Sequence, residues 1–254
     1  DGTGGTSKIA VSSGTTNDDY NNEQTISGVI SENGGTKKLV KDGVGRLVLA
    51  GDNSFTGGVD IDDGTLVIGN DSNDADAGSG TITINKGKLE VLSGDTVGNT
   101  IAGGSGKSMI GGDGTITSVT VGSAAGEIDA ISPGEGLSSS TSSAGSTQQV
   151  ARNTSLADAI GSMTITTLNL NAGGVYDWEI GDFSGSTAGS DWDLLNVGTL
   201  NWDTSNSITI NILPLASDGS AGETAGGMWT NKTGTGGFKF LDVGAWGTDT
   251  EPSV

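Results

Sequence analysis

Acidic side chains give this chain its largest supply of groups that could do chemistry. Asp and Glu total 31 against 11 Lys and Arg, and there is no His and no Cys. A glycosidase of the two-carboxylate kind needs a pair of acids about 5–10 Å apart. Asp60, Asp62 and Asp63 offer such a spacing, as do Asp18 with Asp19 and Asp191 with Asp193. A polysaccharide lyase also needs a cation to hold its enolate. The two arginines, Arg46 and Arg152, and the lysines form no cluster beside these acids. Without His there is no Ser–His nucleophile. Gly106-Lys107-Ser108 has the closing letters of a phosphate loop, but Ile101 stands where its first Gly belongs. Asp60 and Asp62 alternate with Val59 and Ile61, so they project outward together, where charged groups are ordinarily solvated. These patterns assign no catalytic residue, no cofactor-binding residue and no metal ligand, and the chain reads as a non-enzyme.

Two binding chemistries remain. Asp71, Asn73, Asp74 and Asp76 alternate oxygen ligands through a loop that ends near Gly78, which suits calcium, although the spacing is not that of an EF-hand and no Glu closes it. All five Trp (178, 192, 202, 229 and 246) lie late in the chain. Tyr176, Trp178 and Ile180 share one face of an alternating run and read as core. Trp192, between Asp191 and Asp193, reads as exposed and as a sugar-stacking contact, together with the loop at 138–155. A net charge of −20 argues against nucleic acid and anionic membranes, which attract basic patches. No apolar run reaches the ~20 residues of a membrane helix, so this segment is not expected to insert in a membrane.

The elements that must position these groups are short strands. Residues 41–70 hold three alternating pairs, Leu47/Leu49, Val59/Ile61 and Leu66/Ile68, each ended by Gly, Asp or Asn. Period two over so few residues means a strand with one buried face. The pattern recurs. Displaced by 23 positions, Val59, Ile61, Gly64, Leu66 and Ile68 meet Ile82, Ile84, Gly87, Leu89 and Val91. Weaker copies begin at Ile9, Val119 and Leu168. A strand-built repeat of about 20–30 residues is the signature of a solenoid. Gly makes up 46 residues and apolar types only 32%, which fits a thin core of stacked columns. Three regions follow: solenoid repeats over 1–137, a Ser/Thr-rich loop insertion with a short helix over 138–160, and a more aromatic β region over 161–254 that continues the solenoid or caps it. Its strands are expected over 163–170, 175–180, 194–202 and 208–213, with a last one over 238–243.

The run from Lys41 to Asn70 resembles the autotransporter-associated β-strand repeat. Gly43 and Gly45 precede Leu47-Val48-Leu49, and Gly51, Asn53, Phe55-Thr56-Gly57-Gly58 and Gly64-Thr65-Leu66 follow at the family's spacing. Gly111 to Gly136 and Leu168 to Trp202 resemble downstream portions of such passengers. The resemblance implies a right-handed parallel β-helix, secretion, and a structural or adhesive role on a bacterial surface, with no activity attached. Glu251-Pro252-Ser253 is similar to the sorting tail of PEP-CTERM surface proteins, with Thr250 where that family has Pro. The expectation is therefore an all-β, right-handed parallel β-helix, an extracellular scaffold whose copies stack end to end into a fibre, sheath or matrix. An adhesin that grips surface polysaccharide is the alternative, and a polysaccharide lyase or hydrolase stands behind both.

Overall fold

The computed structural model describes residues 5–10, 23–69, 76–134, 159–202, 207–215, 239 and 241–247. Within them the chain is all-β and forms three sheets, in which every strand pairing is parallel. Sheet A holds β1 (Gly5–Ala10), β3 (Lys37–Asp42), β5 (Val59–Ile61), β7 (Ile82–Ile84) and β10 (Ile101–Gly103). Sheet B holds β2 (Glu23–Ile26), β4 (Arg46–Leu49), β6 (Thr65–Ile68), β8 (Gly87–Val91), β11 (Ser108–Gly112), β13 (Ala130–Pro133), β15 (Val175–Ile180) and β17 (Thr209–Pro214). Sheet C holds β9 (Thr96–Val97), β12 (Thr115–Val121), β14 (Ser162–Leu170), β16 (Leu194–Trp202) and β18 (Leu241–Trp246). Successive strands visit the sheets in turn, so the molecule is a parallel β-solenoid with one coil for each strand of the eight-stranded sheet B.

The period-two pairs make the interior. Leu47, Leu66, Leu89, Ile110, Ile131 and Tyr176 lie in register down sheet B, all buried. Leu39, Val59, Ile82 and Ile101 do the same in sheet A. The 23-residue displacement is real stacking: Val59 sits on Ile82, and Leu66 on Leu89. The copies at 119 and 168 stack on each other in sheet C, not on the earlier two in sheet A. In the early coils the third side is irregular. Its backbone bonds run from Ser54 N to Ile30 O and from Ser79 N to Phe55 O (3.0 Å each), and Phe55 fills the interior beneath them. At the corner before β6, Gly64 has φ +71° and no room for a Cβ against the Gly43 and Gly45 carbonyls of the coil beside it. Only Gly adopts that turn without strain.

Sheet A ends at β10 and sheet C begins at β9, so all three sheets coexist only in the coils β7–β8–β9 and β10–β11–β12. Sheet B alone runs throughout. The C-terminal strands continue its ladder, since β15 pairs with β13 and β17 with β15. Four of the expected C-terminal strands fall within one residue of the observed ones, and the last runs over Leu241–Trp246 instead of 238–243. The loop at 138–155, most of the expected helix, Asp18, Asp19, residues 71–75 and the tail at 251–253 lie outside the described residues.

Candidate functional site

The acids that could have formed a catalytic pair serve as ties between coils. Lys38 Nζ reaches Asp60 at 2.9 Å, Asn85 Nδ2 donates to Asp62 at 2.8 Å, and Lys86 Nζ meets Asp63 at 3.0 Å. Each tie crosses about one coil of sequence; alternation with Val59 and Ile61 sets Asp60 and Asp62 on the outer side, and Asp63 lies at the corner beyond β5. Asp191 and Asp193 are no pair either. The Asp191 carboxylate accepts from the Ser186 and Thr187 amides at 2.8 Å. The Asp193 carboxylate is fully buried and accepts from the amides of Gly161 at 3.0 Å and Glu179 at 2.8 Å. Lys107 and Ser108 both engage Asp129. Among the described residues, no group of three or more acids is placed to hold a metal ion. Of the calcium loop only Asp76 is described. Burial raises its pKa, and its carbonyl accepts from Asn53 Nδ2 at 2.6 Å.

Asn53 shows what the repeat's polar letters do. Its Oδ1 accepts from Ile30 N at 2.7 Å, and its Nδ2 donates to Gly51 O as well as to Asp76 O. One buried side chain thus joins three successive coils, on the side where no regular ladder exists. Lys41 does the same at a corner. Its position pairs with Ile61, so it points inward and is fully buried. Its Nζ donates to the carbonyls of Asp42 (3.2 Å), Gly43 (2.6 Å) and Asp63 (3.0 Å). Burial lowers its pKa to about 8, opposed by the Asp63 and Asp42 carboxylates.

Ions are also buried on the outer face of sheet B, a feature that period-two reading assigns to solvent. Arg46 on β4 pairs with Glu90 on β8 and with Glu23 at 2.8 Å, and Lys88 Nζ lies 3.1 Å from Glu90. Lys88 crosses Gly111, where a Cβ would overlap its Cε, and faces Glu179 and Asp193. Both oxygens of Glu179 are buried without a hydrogen-bond partner, as is the Ser132 hydroxyl. Burial pushes Glu179 up to about 8, with Lys88 pulling the other way, and burial pulls Lys88 down to about 8. Asp177 on the same strand is raised by the same cause. Apolar Val48, Val67 and Met109 on this outer face were the available signal that it is covered. A parallel sheet buried on both faces reads this way.

The aromatic residues divide against expectation. Tyr176, Trp178 and Ile180 are core, as their shared face indicates. Trp192 is not exposed: 3% of it is accessible, it bridges to Ile180, and its Nε1 donates to Lys239 O at 2.9 Å. Its flanking acids suggested solvent, but the bridge folds it back onto the core. It offers no stacking platform.

Sheet C presents a third kind of surface. Its outer side carries Thr, Ser and Asn in rows, with Asn201 Nδ2 donating to Asn169 Oδ1 at 2.8 Å and Asn169 Nδ2 to Thr120 Oγ1 at 3.2 Å. This geometry is that of a stacked scaffold with three differently furnished faces.

Comparison with known proteins agrees with that arrangement. Residues 39–68 match the model of the family described as passenger-associated-transport-repeat. That stretch, β3 through β6 with the Asn53 and Lys41 ties, is a passenger repeat of the autotransporter kind. A stretch of 66 residues is 41% identical to the Adhesin BmaC autotransporter of Brucella suis biovar 1 (strain 1330), covering 26% of this chain and 2% of that protein. The chain therefore spans a very small part of the curated relative's length. No solved structure matches.

Proposed function

We propose, from the passenger repeat at residues 39–68, that this chain is a segment of a secreted passenger displayed on a bacterial surface, where it serves as an adhesive scaffold. The observation that carries this reading is continuity. The matched repeat is two coils of one uninterrupted ladder that extends through β17. Its acids, lysines and asparagines are spent on tying coils together, so the interior is built for length and rigidity and not for turnover. The likeness to an autotransporter adhesin supports the adhesive half of the reading. Antibody against the chain should label intact producing cells, and deletion of the segment should lower their adhesion. Labelling that requires permeabilised cells would overturn surface display.

End-to-end stacking of copies is a second reading, favoured by the edges of sheet B. At one end β2 exposes Glu23, Gln24 and Thr25, and at the other β17 exposes Ile210 and Ile212. Open parallel edges pair unless they are covered. Among the described strands, only β17 on β2 would continue a sheet, because the other edge strands at the two ends belong to sheets A and C. Filaments in electron micrographs of the purified chain are the expected result, and a monomer at high concentration on size exclusion would count against it.

A further inference from the structure

Sheet C differs from its neighbours in one respect that the scaffold role does not use. The strands β12, β14 and β16 contain no Asp, Glu, Lys or Arg, although charged residues make up 17% of the chain. The outer sides of the other sheets are ionic: Lys38, Asp60 and Asp62 on or beside sheet A, and Arg46, Lys88 and Glu90 on sheet B. Sheet C's outer side is instead ruled by two in-register rows, Ser118–Thr167–Thr199 and Thr120–Asn169–Asn201. The rows run across strands about 4.8 Å apart. They begin beyond a kink that all three strands share. There Thr117, Thr166 and Gly198 are exposed and leave the ladder together, so two consecutive residues of each strand face outward. The second row is held in place by its own hydrogen bonds, from Asn201 to Asn169 and from Asn169 to Thr120.

We infer that this face is the adhesive surface of the scaffold and that its partner is a neutral, hydroxyl-rich linear polysaccharide. The inference rests on the adhesive reading above and adds its ligand class and location. Hydroxyls and amides both donate and accept, so they match the hydroxyls of a sugar without a charge on either side. A ligand that repeats along its length can engage the same pair of rows strand after strand. Donors fixed beforehand lose less freedom on binding than free side chains do. The molecule's net charge of −20 disfavours acidic glycans and nucleic acid, and the three strands that carry the rows supply no cation to overcome that repulsion, the nearest being Lys239, already paired with Asp242 at the β18 edge.

The test is a pull-down of the whole 254-residue chain on insoluble cellulose, β-1,3-glucan and pectate, repeated at high salt. Binding to at least one neutral glycan, unchanged by salt and absent on pectate, is expected. The triple variant Ser118→Ala, Thr167→Ala, Thr199→Ala should lose binding at least tenfold with an unchanged thermal midpoint, while Thr83→Ala on sheet A keeps it. If the triple variant melts early, the single Thr199→Ala is read in its place and should weaken binding severalfold. Undiminished binding by folded variants, or no neutral glycan bound by the parent chain, overturns the inference. Adhesion of producing cells that depends on the segment despite such a result would leave the adhesive reading intact, and adhesion that does not depend on it would overturn both.

Discussion

Glu179→Gln probes a buried carboxyl neither of whose oxygens has a hydrogen-bond partner. In the folded chain Glu179 titrates near 8, against an ordinary 4.5. Between those values the folded state holds a proton that the unfolded state has lost. Stability from this group is therefore greatest below about pH 4.5 and falls as pH rises, until the folded carboxyl also ionises near 8. At about 1.4 kcal/mol per unit, the full window amounts to an upper bound of about 5 kcal/mol. The groups facing it set how much of that survives. Lys88 draws the value down, while Asp177 pushes it up. Asp193, raised by burial and by the neighbouring Glu179 carboxylate, adds a fall of the same sign. Lys88, itself lowered to about 8 from 10.5, works in a separate window: its share of stability rises between those values. Beyond these, Arg46, Glu90, Tyr176 and Asp113 lie around the same cluster. Urea unfolding at half-unit steps from pH 5 to 8.5 reads the outcome. The parent should lose stability by at least about 1 kcal/mol per pH unit in mid-window, and Glu179→Gln should be flatter by about 1 kcal/mol per unit, with the share of Asp193 remaining. Equal slopes in parent and variant would refute the reasoning, because general repulsion among the other acids is common to both.

Four other substitutions test the ties and close approaches between coils. Lys41→Met keeps most of the buried stem but leaves three carbonyls without their donor, and should lower stability by about 3 kcal/mol in thermal or urea unfolding. Asn53→Ala removes the bonds to Ile30, Gly51 and Asp76 and should cost about 2 kcal/mol, with amide exchange fastest at Ile30. Gly111→Ala drives a Cβ into Lys88 and the Ser132 carbonyl and should cost about 2 kcal/mol, whereas Asp60→Asn, in a half-exposed pair with Lys38, should change the unfolding free energy by less than about 0.5 kcal/mol.

The parts of this fold written in period two were legible beforehand, and the parts written in the third dimension were not. Val59, Ile61, Leu66 and Ile68, with their partners 23 residues on, announce both the strands and their stacking, because each coil must bury the same column. Sheet membership was hidden. The pairs at Val119 and Leu168 look like those at Val59 and Ile82, and only the corner lengths, which leave no period, send them to sheet C. Trp192 was misread because local composition cannot show a bridge to Ile180. The buried ions were not legible because alternation fixes which side a residue faces and not whether that side is covered. Val48 and Val67, apolar on the outward side, carried that information.

The handover between sheets A and C has a mechanical meaning. Two planks joined end to end fail at the butt, and a carpenter avoids this by letting them overlap along a third that runs through. Sheet B is that continuous plank, and the two coils from β7 to β12 are the overlap, where every coil is held by three ladders at once. Under tension along its axis the early junctions from β3–β4 through β7–β8, held by shorter ladders in two sheets, would part before the splice, while the long strands β14 to β17 hold the C-terminal coils more firmly still. The place where its cross-section changes shape is thus no point of weakness.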